Sequence, residues 1–270
     1  MAKKVKEEEK DFNYYFPKVS LYILKSPYYF VKWIFNLNKE LIEKNSIAKI
    51  RRSIDAKYLD FKVLETLEGN YDQWLKNIYN SDSQIGLVLG ARGSGKTAFG
   101  MKFLENTYAQ HKKKCFAMGF QEKDLPSWIN SINDISQLPN DSYVLVDESG
   151  ILFSSRSSMT TANKLLSELI ILARHKDLTI LFITQNSSNI EVNILRQADF
   201  LVLKPSSLLQ REFERKIIEK MYEKMNSKFV KYKNEKGVSY IFSGKFRGFV
   251  SNSLPSFWKE SISKSFKNQK

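Results

Sequence analysis

Between residues 84 and 204 the apolar positions fall into short runs: 85–89, 115–118, 143–146, 178–183 with Thr179 inside it, and 199–203 opening on Asp199. Runs of that length, bounded by polar residues, suit strands buried on both faces. The intervening segments carry apolar residues three and four apart. Ala98, Met101, Leu104 and Tyr108 form one helical stripe, and Ala162, Leu165, Leu166, Leu169, Ile170 and Ala173 form another. A further helix is expected after Asp124 and Pro126, containing Trp128 and Ile132, and a short one at 192–196. Helices alternating with buried strands predict an α/β fold with a mainly parallel sheet and helices on both faces.

The flanks read differently. Lys18, Lys25, Lys32 and Lys39 interrupt the N-terminal apolar stretch every seven residues, well short of a bilayer-spanning run. Ser26 and Pro27 suit an N-cap and first helical position. On the helix that follows, Phe30, Trp33, Ile34, Leu37 and Leu41 share one face, and Lys32, Asn36, Lys39 and Glu43 the other. Helices are expected to continue through 46–80, with Tyr71, Trp74, Leu75 and Ile78 at helical spacing. Past the core, Leu209, Phe213, Ile217, Met221 and Met225 recur every fourth residue on a helix whose other face is basic. Residues 238–250 alternate around Ser243 and Gly244 as a hairpin. The expected organisation is a flexible charged arm (1–17), a helical aromatic-rich extension (18–80), a core (81–205), and a basic helix, hairpin and tail (206–270).

Composition narrows the function classes. One cysteine, Cys115, excludes an internal disulfide framework and fits a reducing compartment. Two histidines, His111 and His175, are too few for a Cys/His zinc site. The charged N-terminus has no apolar h-region behind it, so no signal peptide is expected. The net charge of +14 is concentrated at the C-terminus: +4 over 1–80, +1 over 81–205 and +9 over 206–270. A basic flank on a near-neutral core suits a polyanion such as DNA, RNA or anionic lipid, and equally a solvated lysine-rich surface.

The chemistry starts at the end of the first core run. Gly90, Ala91, Arg92, Gly93, Ser94, Gly95, Lys96 and Thr97 fit G-x-x-x-x-G-K-[ST], with Ala98 entering the helix. The glycines let backbone N–H groups turn inward around phosphate, and the helix N-terminus faces the same anion. Lys96 would reach the β- and γ-phosphates of ATP, and Thr97 would place its hydroxyl on Mg²⁺. The run at 143–146 ends in Asp147 and Glu148. An apolar strand ending in paired carboxylates suits metal binding through Asp147 and activation of a water by Glu148. The strand at 178–183 ends in Thr184 and Gln185, which places an amide where a γ-phosphate could be sensed.

These elements together resemble the FtsK/HerA superfamily of RecA-like P-loop motors. That group includes DNA translocases, conjugation and viral genome-packaging ATPases, and Zot-like phage proteins. The resemblance rests on Gly90 to Thr97, on Asp147 and Glu148, and on a helix ending at Arg174 before a strand closing in Gln185, and it spans about residues 84–205. It implies a RecA-like ATPase, usually a hexameric ring, moving double-stranded DNA through its centre. Gln185 matches the family's γ-phosphate sensor. Arg174 lies where the family commonly places an arginine that reaches a neighbouring subunit's nucleotide, with Arg196 and Arg211 as weaker candidates. The chain shows no N-terminal barrel, no run of transmembrane helices and no winged-helix segment of the kinds found in larger relatives.

Two functions follow as expectations. One is an ATP-hydrolysing motor that translocates duplex DNA, packaging a viral or mobile-element genome. The other is a Zot-like, membrane-associated assembly ATPase using the helix at 27–44 on a membrane surface. That helix could equally pack on its own core, a neighbouring subunit or a capsid. The expected location is cytoplasmic, at the periphery of a membrane, or with a virion. A small-molecule kinase fits less well, because paired carboxylates and a glutamine serve water activation better than transfer to a hydroxyl.

Overall fold

The structure, a computed structural model, describes residues 28–148, 159–190 and 192–263. The chain divides into two compact units, Met1–Ile50 and Arg51–Lys270. Residues 28–52 are helical (α1). In the first unit this helix leaves Tyr28, Phe30, Trp33, Phe35, Leu37, Leu41 and Ile42 exposed. The expected N-cap at Ser26, the arm at 1–17 and the end of the basic tail lie outside the described residues.

The second unit is built on a nine-stranded sheet among the described residues. In chain order its elements are β1 (Lys62–Gly69), α2 (Tyr71–Asn80), β2 (Gln84–Leu89), α3 (Lys96–His111), β3 (Lys114–Met118), β4 (Ile129–Ile132) and β5 (Ser142–Asp147). There follow α4 (Met159–Lys176), β6 (Thr179–Ile183), α5 (Val192–Arg196), β7 (Phe200–Leu203), α6 (Leu208–Glu212), α7 (Lys216–Lys231), β8 (Ser239–Ser243), β9 (Phe246–Ser251) and α8 (Glu260–Ser263). The strand order is β1-β9-β8-β7-β2-β6-β5-β3-β4. The six strands from β7 to β4 run parallel, and β8, β9 and β1 continue the sheet antiparallel. This is a RecA-like P-loop fold extended by an antiparallel hairpin.

Helices cover both faces. On one, α2 and α3 bury Trp74, Ile78, Phe99 and Met101 against Val88, Leu145, Leu181 and Val202. On the other, Leu166, Ile170 and Ala173 of α4 and Ile194 of α5 pack on Leu87, Val144 and Phe182. Alongside, Ile218, Tyr222 and Phe229 of α7 pack on Leu89, Leu203 and Phe249. The contact between α3 and β5 is close: a Cβ on Gly100 would lie 2.4 Å from Leu145 Cδ1. Helix α3 therefore holds its N-terminus at a set height above the sheet.

Three expectations need correction. Residues 62–69 form an edge strand rather than a helix, because β9 supplies antiparallel partners from Lys62 opposite Ser251 to Gly69 opposite Phe246. Asp124 ends a 3₁₀ turn (Glu122–Asp124) rather than opening a helix, and Trp128 and Ile132 flank or end β4, which pairs in parallel with β3. The helix expected around 209–225 is two helices broken at Phe213–Arg215. Only the end of its stripe reaches the core: Leu209, Phe213 and Ile217 are 70%, 62% and 68% exposed, Met221 and Met225 are partly buried against the core, and Ile218 and Tyr222 are fully packed there.

Candidate nucleotide site

Strands β2, β6 and β5 are neighbours in that order. In register, Val88 lies opposite Ile183, and Ile183 opposite Asp147. The loop after β2, the carboxylates ending β5 and the residues following β6 therefore meet at the carboxyl edge of one sheet. Ligands of open α/β sheets bind at that edge. The sequence names all three pieces, and β6 lying between β2 and β5 brings them together.

The loop from Gly90 to Gly95 takes up left-handed backbone at its glycines. Gly93 has φ 78° and Gly95 φ 88°, conformations that cost glycine little. Gly90, at φ 150°, is also closed in: a Cβ there would lie 2.6 Å from Lys204 Cβ and 3.0 Å from the Lys204 carbonyl oxygen. Gly95 caps α3 without a side chain, which leaves the first N–H groups of the helix facing the loop. The Ser94 hydroxyl is buried with no hydrogen-bond partner. Ala91 donates its N–H to the Pro205 carbonyl at 3.1 Å, tying the loop to the end of β7.

Lys96 is buried and donates to the Gly90 and Ala91 carbonyls at 2.7 and 2.9 Å. Burial pulls its ammonium down to about 8, and the charges of Asp147, Glu148 and Glu214 work against that. The lysine thus stands over its own loop amid three carboxylates. Glu148 is itself buried and accepts a hydrogen bond from the Thr184 hydroxyl, while Thr184 donates its N–H to Val88 at 3.1 Å. Gln185 is exposed next to this contact. Arg92 is exposed at the tip of the loop, and Thr97 is half-buried at the start of α3 beside buried Ala98.

Arg174 lies elsewhere. It is exposed in the last turn of α4, and its positive charge acts on Asp199, whose carboxylate accepts the Ile85 N–H at 2.8 Å. Ile85 opens β2, so Arg174 stands at the sheet edge opposite the phosphate loop. Within one chain it takes no part in the site. Arg196 ends α5, and Arg211 donates to Ser206 at 2.9 Å.

Sequence reasoning misses two residues of this region. Lys204 is fully buried beneath Gly90, where its Nζ donates to Gly237 O (2.9 Å) and Asn252 Oδ1 (3.1 Å) and lies 5.2 Å from the Phe99 ring centre. Burial, reinforced by the charge of Lys96, pulls it down to about 7. Glu214 lies at the break between α6 and α7 and accepts from the Ser187 N–H at 2.8 Å. Neither belongs to a motif, because each reaches the site from a part of the chain that only the sheet order brings near. A separate groove of about 700 Å³, bordered by Val192, Leu195, Ile217, Met221 and Phe242, lies on the α5 and α7 side.

The glycine loop between β2 and α3, its buried lysine and the carboxylates closing β5 define a P-loop NTPase core. Residues 84–204 match the family model described as Zonular occludens toxin (Zot). Comparison with curated proteins returned no significant match. Among solved structures, the genome packaging NTPase B204 of Sulfolobus turreted icosahedral virus 2 in complex with AMPPCP is 15% identical. That match covers 64% of this chain and 99% of B204, with a TM-score of 0.43. A KaiC-like protein of Pyrococcus horikoshii OT3 is 12% identical over 73% of this chain and 94% of its own, with a TM-score of 0.41. EssC (ATPases 2 and 3) of Geobacillus thermodenitrificans is 10% identical over 69% and 42%, with a TM-score of 0.39.

Proposed function

We propose that this chain hydrolyses ATP and spends the energy on moving double-stranded DNA, in packaging a viral or mobile-element genome. The observation that carries the reading is the convergence of Lys96, Glu148 and Thr184 with Gln185 at one sheet edge. The backbone of residues 90–95 and the Lys96 ammonium cradle the phosphates of ATP. Mg²⁺ would be held by Thr97 and Asp147 and would neutralise charge on the phosphates. The loop suits this ligand: three glycines with positive φ, an open helix N-terminus, and a lysine that exchanges its own carbonyl partners for phosphate. Glu148, oriented by Thr184, takes the proton of the attacking water, and Gln185 senses the γ-phosphate. Arg174, at the far edge, acts on the site of the next subunit in a ring, for which six subunits is the expected number. The exposed lysines of α7, Lys216, Lys220 and Lys224, supply a basic ridge for the DNA backbone.

The test is steady-state ATP hydrolysis with and without linear duplex DNA, at low and moderate salt, with Glu148→Gln and Lys96→Ala as controls. Stimulation by DNA that fades with salt and is absent in both variants is the expected result. Hydrolysis indifferent to DNA would discard the motor.

One observation favours a second reading, a membrane-associated assembly ATPase. Helix α1 exposes Phe30, Trp33, Phe35 and Leu37 beside Lys32 and Lys39. Among the described residues no helix is long and apolar enough to cross a membrane, and in this reading α1 lies on the membrane surface. Flotation with anionic vesicles that is lost in Trp33→Glu, with no DNA stimulation, would select this reading.

A further inference from the structure

The loop that carries Gln185 is bound to the elbow between α6 and α7. Glu214 Oε2 accepts from Ser187 N at 2.8 Å and from the Ser187 hydroxyl, and its Oε1 lies 3.4 Å from Gln210 Nε2. Gln210 also donates to the carbonyl of Gln185 itself. Arg215 donates its N–H to Ser187 Oγ at 3.1 Å, its Nε to Ser187 O at 3.0 Å, and an Nη to Ile190 O. Ser188 Oγ donates to Phe213 O at 2.6 Å. Ser187 and Glu214 are both buried, so water does not compete for these bonds. Two segments from opposite sides of β7 therefore move as one piece.

This piece touches the phosphate site at one end and solvent at the other. At the inner end, the piece includes Gln185, which is held by Gln210 and directly follows Thr184, the donor to the Glu148 carboxylate, at the sheet edge that carries the loop after β2. A nucleotide that engages Gln185 or Glu148 therefore makes the energy of the elbow differ between empty and occupied sites. At the outer end, Leu209, Phe213 and Ile217 form an exposed apolar ridge across the break. We propose that Glu214 is a positioning residue: it seats the Gln185 loop against the nucleotide and passes occupancy of the site on to the Leu209, Phe213 and Ile217 ridge. The inference rests on the nucleotide-site reading and extends it to an output surface.

The test combines hydrogen exchange with kinetics on the full chain. With a non-hydrolysable ATP analogue and Mg²⁺, wild type slows exchange at 90–97 and also at 185–190 and 208–216. Glu214→Ala keeps the first protection and loses the other two. Its kcat falls about tenfold or more with KM within about threefold, the pattern of a misplaced group rather than lost binding. Glu214→Gln, which keeps an acceptor for the Ser187 N–H, recovers kcat to within about threefold. If Glu214→Ala does not fold, Ser187→Ala reads the same coupling. Protection at 185–190 and 208–216 in the Ala variants equal to wild type, or no such protection in wild type, overturns the proposal. Absence of protection at 90–97 in wild type would instead sink the nucleotide site, and the coupling with it.

Discussion

Lys204→Met tests whether a buried ammonium beneath the phosphate loop shapes the pH dependence of stability. The Lys204 side chain is fully buried, and burial with the nearby charge of Lys96 lowers it from 10.5 to about 7. The folded chain therefore releases this proton near pH 7, whereas the unfolded chain holds it until about 10.5. Between those values the unfolded state binds more protons, so stability rises with pH; below pH 7 the cost of the buried charge is present in full. Integrated from pH 6 to pH 9, this one group adds about 3 kcal/mol to wild-type stability. Methionine removes the titration and the donor to Asn252 Oδ1 and to the Gly237 carbonyl, which keeps only the Ser239 hydroxyl at 3.3 Å, a cost of about 1–3 kcal/mol that does not vary with pH. Urea unfolding of both proteins at pH 6, 7.5 and 9 isolates the effect, because other titrations cancel in the difference. The advantage of wild type over the variant grows by about 3 kcal/mol across that range. A difference that stays flat within about 0.5 kcal/mol would show that Lys204 keeps its charge in the folded state across this range, and would refute the reasoning.

Other consequences can be measured as directly. Gly90→Ala places a Cβ against Lys204 in a backbone conformation that disfavours it, and should lose about 2–3 kcal/mol in urea unfolding and most nucleotide binding by calorimetry. Glu105→Ala leaves the buried Lys102 ammonium, 2.8 Å from Glu105 in wild type, without its carboxylate, and removes the acceptor for the Lys57 and Ser256 N–H groups. The expected loss is about 3–5 kcal/mol, seen as a fall in Tm of about 10 °C. For Arg174→Ala, mixing with Lys96→Ala should restore hydrolysis that neither variant shows alone, since each supplies what the other lacks. If no mixture regains activity, Arg174 serves only as the neighbour of Asp199.

The core was legible because its signals are local. Buried parallel strands need continuous apolar runs, and a phosphate loop needs glycines and a lysine at set spacing, so β2, β3, β5, β6 and β7 and the residues 90–97, 147–148 and 185 could be named from order alone. The elements that were misread take their state from distant partners. Residues 62–69 carry no strong strand pattern and become β1 because β9 offers an open edge. The series from Leu209 to Met225 reads as one face of a single helix, yet the chain breaks at Phe213–Arg215, where Glu214 and Arg215 bond to Ser187 and Ile190, and Leu209, Phe213 and Ile217 are left exposed.

By itself the sequence determined the parts of the candidate site: a glycine-rich loop, a lysine, paired carboxylates and a polar strand end on an α/β framework, each set by backbone freedom or side-chain type within a few residues. Only the tertiary structure decided that β6 lies between β2 and β5, that Glu214 joins Asp147 and Glu148 around Lys96, that Lys204 is buried under Gly90, and that Arg174 stands at the opposite edge. Those are outcomes of strand order and burial, which depend on the free energy of packing segments far apart in the chain, and no local pattern records them.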